Sequence, residues 1–160
     1  MRAFRLAYDG SRYRGFQRQP HGETIENELF AALDALDIGF SDGSPVEYAA
    51  AGRTDAGVSA RAQTVAFEAP AWLTPRAFNG HLPGAVRAWA AADVASGFHA
   101  THDAVRRTYR HPLYPPDADA SGTPASARRD PEHPVDHERL RAALARFDRE
   151  PALHTLPTDQ

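Results

Sequence analysis

The sequence contains no cysteine and no lysine. Without cysteine it has no disulfide framework, no thiol nucleophile and no thiolate metal site. No apolar run approaches the ~20 residues that a membrane-spanning helix needs. The first residues also lack the charged-then-apolar pattern of a signal peptide. We therefore expect a soluble, cytoplasmic protein with no membrane partner.

The charge balance neither demands nor excludes a polyanionic partner. The formal net charge is −3 at pH 7, which is not typical of a nucleic-acid-binding protein. All 18 residues in the lysine-plus-arginine class are arginine, however. The planar guanidinium group suits phosphate oxygens and stacks on bases. Nucleic-acid binding through a local arginine surface therefore remains open.

Length and composition predict a globular chain in three parts. The chain has 160 residues, of which 42% are hydrophobic, so it is long enough to bury a core. Residues 115–134 are rich in proline, alanine, serine and charge, which predicts a loop. This loop separates residues 1–114 from residues 135–160. In the last part, Asp136 is placed to cap a helix over 136–147.

The periodicity of residues 1–114 predicts an α+β fold. Thr24 is a helix cap, and the apolar residues that follow it recur at helical spacing up to a stop at Gly39. Thr74 and Pro75 mark the start of a second helix. Alternating apolar and polar residues predict strands at 2–8, 46–50, 63–68, 86–94 and 104–113. Short antiparallel strands alternating with helices favour two packed layers.

One segment carries a pattern typical of a reactive site, Gly52-Arg53-Thr54-Asp55-Ala56-Gly57-Val58. Glycines on both sides let the backbone turn sharply. Such a turn directs Arg53 and Asp55 into one cleft, where the carboxylate is a candidate nucleophile or base. The alternative interpretation is a salt-bridged surface turn, which composition alone favours.

This segment resembles the signature of the TruA family of tRNA pseudouridine synthases. Further motifs follow in the family's order: Tyr8-Asp9-Gly10-Ser11, Gly15-Phe16-Gln17, Gln19-Pro20, Thr24-Ile25, Gln63-Thr64-Val65, Phe98-His99-Ala100 and Arg107-Thr108-Tyr109. The resemblance runs from Tyr8 almost to the end of the chain.

The resemblance implies a fold and an activity. The fold is a mixed, largely antiparallel sheet with helices packed on one face, a ferredoxin-like half of a pseudouridine synthase. The activity is isomerisation of uridine in the tRNA anticodon arm, by a homodimer, without cofactor or metal. Residues 1–114 correspond to the catalytic half and residues 135–160 to the start of the second half. The chain is therefore expected to be truncated.

The resemblance also assigns roles to three residues. Asp55 is the catalytic aspartate, Arg53 displaces the target base, and Tyr109 stacks on the flipped uracil. In the family a further basic residue from the C-terminal half pairs with the aspartate, and this chain has no counterpart for it. Thr101 and His111 also depart from the family's pattern.

Three more arginines are candidate substrate contacts on their own chemistry. Arg12 and Arg14 lie in the loop after the first strand, and Arg107 shares a predicted strand face with Tyr109. Arg107 would contact a phosphate or order the pocket. For all three the alternative interpretation is an ordinary solvated surface.

The sequence leaves two other functions open and raises the question of a metal site. One alternative is a non-catalytic RNA-binding fragment that lacks the rest of the active site. The other is an enzyme that uses Asp55 on a free nucleotide. The pairs His133/His137 and His99/His102 have ligand-like spacing, but neither has a third ligand, so no metal is expected.

Overall fold

The computed structural model describes residues 1–111 together with Glu138, Arg141, Ala142 and Ala145. The chain divides into two compact units, Met1–Arg107 and Thr108–Gln160. In the second unit, residues 108–111 form no regular element, and the four described residues further on are helical and exposed. The loop predicted over 115–134 lies outside the described residues, as does most of the helix predicted over 136–147.

The first unit contains six strands and two helices. In chain order they are β1 (Arg2–Tyr8), α1 (Ile25–Asp34), β2 (Phe40–Ser41), β3 (Ser44–Pro45), β4 (Ala49–Ala50), β5 (Ala60–Phe67), α2 (Pro75–Asn79) and β6 (Val86–Asp93). Four strands form one sheet in the order β4-β5-β1-β6, and every neighbouring pair is antiparallel. β2 and β3 form a separate hairpin. The predicted α+β class with a largely antiparallel sheet is confirmed.

Helix α1 forms where the sequence predicts it. The side-chain oxygen of Thr24 accepts a hydrogen bond from the backbone N–H of Asn27 at 3.3 Å, which satisfies one of the free donors at the helix start. The helix ends at Asp34, before the predicted stop at Gly39. The residue that takes the left-handed conformation after it is Asp37, with φ of 54°. Aspartate tolerates this region better than most side chains do.

Both helices pack on one face of the sheet. Phe4 of β1 stacks on Phe67 of β5 with ring centroids 5.2 Å apart, and Phe78 of α2 meets Phe4 edge-on at 5.5 Å. The buried side of α1 joins the same cluster through Ile25, Leu29 and Leu33. This layer is the main core of the first unit.

The opposite face of the sheet is only partly covered. Phe98 and Ala100 pack with Ala66 and Ala3 in a small second cluster. Trp89 of β6 is 54% exposed, and its indole N–H donates to the carbonyl of Arg61 at 3.2 Å. The helices are therefore segregated to one face, as expected.

The strand predicted over 104–113 is wrong for the part that the structure describes. Residues 104–111 are not in a strand. Alternation indicates a strand only where a partner edge is available, and here Val105 is fully exposed rather than packed. Arg107 instead directs its guanidinium group to the backbone carbonyls of Ala51 and Thr101.

Within the described part of the chain, neither helix has the length and apolar character required to cross a membrane.

Candidate active site

The segment with the Arg53–Asp55 pattern is the connection between β4 and β5. The Ala51 N–H donates to the carbonyl of Thr64 at 2.8 Å, which continues the sheet ladder to the edge of the connection. A turn then forms in which the Val58 N–H donates to the carbonyl of Asp55 at 3.2 Å. Gly57 takes a left-handed conformation, with φ of 77°, inside this turn. We call residues 52–58 the aspartate loop.

A second loop, residues 9–16, lies directly against the aspartate loop. A Cβ atom at Gly10 would come within 2.0 Å of the Val58 carbonyl oxygen. Gly15 has φ of 105° and also approaches the loop, since a Cβ there would be 3.1 Å from the Thr54 carbonyl oxygen. The Phe16 N–H donates to that carbonyl at 2.9 Å. Only glycine fits at these two contacts, so the two loops form one unit.

Sequence reasoning used Gly10 and Gly15 as parts of a motif but missed what they do. The only sequence feature that pointed to these two glycines is their position in two short motifs after β1. Neither the spacing nor the composition of those motifs indicates that they touch a loop about forty residues later in the chain.

Two buried polar side chains of the sheet lie beneath the aspartate loop. The hydroxyl groups of Tyr8 and Thr54 are 2.8 Å apart and hydrogen-bonded. The side-chain amide of Gln63 donates to the carbonyl of Gly52. Burial raises the pKa of Tyr8, and hydrogen bonds with Thr54 and Gln63 oppose that rise. Sequence analysis did not single out Tyr8 or Gln63 as site residues.

Arg53 and Asp55 line one cleft of about 430 Å³, together with Arg14. Its remaining lining residues are Gly15, Phe16, Gln17, Gln19, Thr54 and Ala56. The structure thus brings together three of the six predicted site residues.

The Asp55 side chain is exposed in this cleft. Among the described residues its carboxylate makes no ion pair, because the two ion pairs found there are Met1–Glu68 and Arg2–Asp93. The alternative interpretation, a salt-bridged surface turn, therefore does not hold within the described part. A carboxylate without an ion pair in the described part, in a cleft that Arg14 and Arg53 also line, is suited to act on a polyanionic substrate.

Arg53 also lines a second cleft, of about 390 Å³. In this cleft the Tyr48 hydroxyl donates to the buried carboxylate of Glu26 at 3.2 Å. The backbone N–H of Arg18 donates to the same carboxylate at 2.8 Å. Burial raises the pKa of Tyr48 well above its ordinary value, the Glu26 charge adds to the rise, and Arg53 opposes it. Sequence analysis missed this pair.

Arg107 ties the start of the aspartate loop to the segment after β6. Its Nε donates to the Ala51 carbonyl at 3.0 Å, and its Nη2 donates to the Thr101 carbonyl at 2.8 Å. The Thr101 hydroxyl in turn donates to the Ala50 carbonyl at 2.7 Å. Of the two roles predicted for Arg107, this geometry favours ordering the pocket.

Arg12 does not line the cleft of about 430 Å³. Arg12 is exposed beside Asp9. The pKa of Asp9 is lowered mainly by the backbone N–H of Ser11, which donates to its carboxylate, and to a lesser degree by Arg12. Tyr109 belongs to the second unit, where its ring is 81% exposed.

No set of three or more metal-ligating side chains occurs in the described part of the chain. The rings of His99 and His102 lie 4.2 Å apart, centroid to centroid. The other candidate pair, His133 and His137, lies outside the described residues.

Comparison with known proteins gives several curated relatives named tRNA pseudouridine synthase A. The protein of that name from Natronomonas pharaonis is 71% identical over 127 residues, 79% of this chain and 48% of the relative. The one from Haloarcula marismortui is 53% identical over 161 residues, 100% of this chain and 56% of the relative. The one from Halobacterium salinarum is 60% identical over 129 residues, which are 81% of this chain and 48% of the relative.

No family model matches the chain. The chain spans about half the length of the curated relatives that it matches.

Proposed function

Because this chain belongs to the TruA family of tRNA pseudouridine synthases, we propose that it carries the catalytic aspartate of an enzyme that isomerises uridine in tRNA. The observation that carries the proposal is the position of Asp55. Its carboxylate is exposed and free of ion pairs within the described residues, in a cleft that Arg53 and Arg14 also line.

The proposed reaction is an isomerisation in which Asp55 is the nucleophile. The carboxylate attacks the target nucleotide at the ribose or at the base, and the glycosidic C–N bond breaks. The uracil turns and its C5 bonds to the ribose, while the bond between Asp55 and the nucleotide breaks and frees the carboxylate. The proton on C5 leaves, and the freed N1 takes up a proton. Substrate and product have the same atoms, and no electron is transferred. The chemistry therefore needs neither a redox cofactor nor a metal.

The arginines supply the contacts that such a nucleotide needs. Arg53 lies two residues from Asp55 and lines both clefts, so its side chain suits displacement of the target base from its stack. Arg14 lines the same cleft as Asp55 and suits a neighbouring phosphate. Arg12 extends this basic surface at the exposed end of the loop.

Tyr109 and Arg107 complete the proposed set. An exposed tyrosine ring is suited to stack on a flipped uracil, and this is the role that we propose for Tyr109. Arg107 holds the start of the aspartate loop through its bond to the Ala51 carbonyl. We propose that it also contacts the substrate backbone when RNA is bound.

The natural substrate and assembly follow from the family. We propose the tRNA anticodon arm as the target, a homodimer as the working form, and the cytoplasm as its location. One observation supports a further partner for the sheet. β6 pairs only with β1, so its outer edge has no neighbouring strand in the part that the structure describes.

A second candidate function is RNA binding without catalysis. It is favoured by length, since the chain spans about half of its relatives. It is favoured too by the absence of an ion pair to Asp55 among the described residues. A carboxylate without a cationic partner is a poorer nucleophile if it becomes buried under RNA, because desolvation favours its protonated form.

Tritium release from tRNA transcripts labelled at uracil C5 separates the two functions. We would compare the 160-residue chain with a chimaera in which it replaces the matching part of the Natronomonas pharaonis relative. Asp55→Asn tests the nucleophile, because it keeps the shape of the side chain and removes its charge. Asp42→Asn is the matched control, since Asp42 is exposed in the β2–β3 turn at φ of 52°, which asparagine tolerates.

The expected result is release by the chimaera that Asp55→Asn abolishes and Asp42→Asn leaves unchanged. Release by the chain alone would show that residues 1–160 suffice. Release that survives Asp55→Asn would refute the proposed nucleophile. Binding of tRNA without release by either protein would favour the RNA-binding function.

A further inference from the structure

Two buried polar side chains of the sheet reach the aspartate loop from below. Tyr8 ends β1 and is 4% exposed, and Gln63 lies on β5 and is 7% exposed. They belong to neighbouring antiparallel strands, where Leu6 pairs with Gln63 and Tyr8 pairs with Ala60. Both side chains therefore project from paired strands of the four-stranded sheet.

Tyr8 and Gln63 bond the two residues next to Arg53 in the sequence. Gln63 donates its amide N–H to the carbonyl of Gly52, and the Tyr8 hydroxyl bonds the Thr54 hydroxyl at 2.8 Å. Gln63 is itself fixed, because its side-chain oxygen accepts the Thr64 N–H at 3.0 Å. The residues immediately before and after Arg53 are thus attached to the sheet by side chains.

We propose that Tyr8 and Gln63 are positioning residues that fix the direction of Arg53 and the place of Asp55. The inference rests on the proposed function for its catalytic consequence. Loops are mobile unless tied to a rigid element. A displacement of about 1 Å in a catalytic group lowers rates by as much as about 100-fold. Two hydrogen bonds from buried strands supply that restraint at residues 52 and 54.

The alternative is that the two side chains only satisfy each other's buried polar groups. That role predicts lower stability for the variants and no selective effect on turnover. Positioning predicts a loss in kcat with little change in KM, because Tyr8 and Gln63 are buried and touch the loop rather than the cleft. The two roles are therefore distinguishable by experiment.

The kinetic test uses Tyr8→Phe and Gln63→Met in the chimaera defined above. Tyr8→Phe keeps the ring that packs against Phe16 at 5.9 Å and removes only the hydroxyl. Gln63→Met keeps a side chain of similar length without the N–H donor. The matched control is Asn79→Leu, since the Asn79 side chain also makes hydrogen bonds to the sheet, to the Ala88 carbonyl at 2.7 Å and from the Ala88 N–H at 2.8 Å, but it bonds β6 and not the aspartate loop.

We expect kcat to fall about 10- to 100-fold in Tyr8→Phe and in Gln63→Met, with KM within about twofold of the parent. Asn79→Leu should retain the parent kcat. An unchanged kcat in both variants would overturn the proposal. So would an equal fall in all three.

Amide hydrogen exchange of the 160-residue chain without RNA gives a second readout. The Gly57 N–H donates to the Tyr13 carbonyl at 3.1 Å, and the Val58 N–H closes the turn of the aspartate loop. In Tyr8→Phe we expect these two amides to exchange about fivefold faster, while the amides of β1 and β5 keep their protection. Unchanged exchange in the loop, or equal acceleration throughout the sheet, would refute positioning.

The two readouts keep this inference separate from the proposed function. If the chimaera releases no tritium but Tyr8→Phe still loosens the loop selectively in the 160-residue chain, the enzyme is refuted and the positioning is retained. Normal tritium release by Tyr8→Phe, with unchanged exchange in the loop, would support the enzyme and refute the positioning.

Discussion

The contact between Gly10 and Val58 predicts that a single methyl group will separate the two loops of the site. In Gly10→Ala the new Cβ would lie 2.0 Å from the Val58 carbonyl oxygen, 2.5 Å from its carbonyl carbon and 3.1 Å from the Ser59 nitrogen. A comfortable carbon–oxygen contact needs roughly 3.3 Å or more. The loops would therefore have to part by more than about 1 Å. All three atoms are backbone, so no side-chain rotation relieves the overlap.

The expected destabilisation combines two effects. Overpacking of a well-packed contact costs about 1–3 kcal/mol. The Gly10 N–H also donates to the Ser59 hydroxyl at 3.0 Å, and loss of that bond costs about 1 kcal/mol more. We expect Gly10→Ala to lower the free energy of unfolding by about 2–4 kcal/mol. For a domain of this size that lowers Tm by about 4 °C for each kcal/mol.

The measurement is thermal and urea unfolding of the 160-residue chain, followed by circular dichroism. Gly84→Ala is the control, because a Cβ there has open space and Gly84 has no positive φ. It should be neutral or slightly stabilising, by at most about 1 kcal/mol. If Gly10→Ala proved as stable as Gly84→Ala, the loops would not be packed as described, and the reasoning for the whole site would fail with them.

Three further predictions concern the core, the tyrosines and the cleft. Phe78→Ala should lower the free energy of unfolding by about 3–5 kcal/mol in urea denaturation, whereas Trp72→Ala, at an exposed position, should change it little. Tyr48 should ionise far above the ordinary tyrosine range in an ultraviolet titration, because burial and the Glu26 charge raise its pKa. The neutral form is favoured in the folded state, so the stability that it contributes is present below about pH 10 and is lost as pH rises through the raised pKa. In the chimaera, Arg14→Ala should weaken tRNA binding and reduce its salt slope by about 1, whereas Arg76→Ala, on α2, should change neither.

Local signals in the sequence were sufficient for the helices and most of the sheet. Thr24 and Thr74 cap α1 and α2 at the predicted positions, because a side-chain oxygen before a helix satisfies a backbone N–H within the next turn. The strand predicted over 86–94 is present as β6, Val86–Asp93. The strand predicted over 46–50 is shorter in the structure, where β4 comprises only Ala49–Ala50, because only these two residues pair with β5 as a ladder.

The strand predicted over 104–113, which is absent from the described residues 104–111, shows the limit of such signals. Val105 and Tyr109 lie four residues apart, as on one face of a strand, yet both side chains are exposed. A strand requires an edge to pair with as well as a suitable sequence. Whether that edge exists depends on residues far away in the chain, so the pattern alone cannot decide it.

For the site, the sequence was sufficient to mark Arg53 and Asp55 but not their surroundings. Their spacing and flanking glycines predicted that they share a cleft, and the structure places both in one. The Glu26–Tyr48 pair was not predictable, because its two members are 22 residues apart and neither belongs to a recognisable motif.

By itself, the sequence determined the family, the α+β class and the helix starts, and it predicted which residues are candidates for the chemistry. These depend on contacts within a few residues of one another or on an ordered set of motifs. Only the tertiary structure decided that Gly10 and Gly15 join two loops, that Tyr8 and Gln63 hold the residues around Arg53, and that Asp55 stands free of ion pairs in the described part. Each of these depends on which distant backbone atoms meet, and that is fixed by the packing of the sheet and not by local sequence.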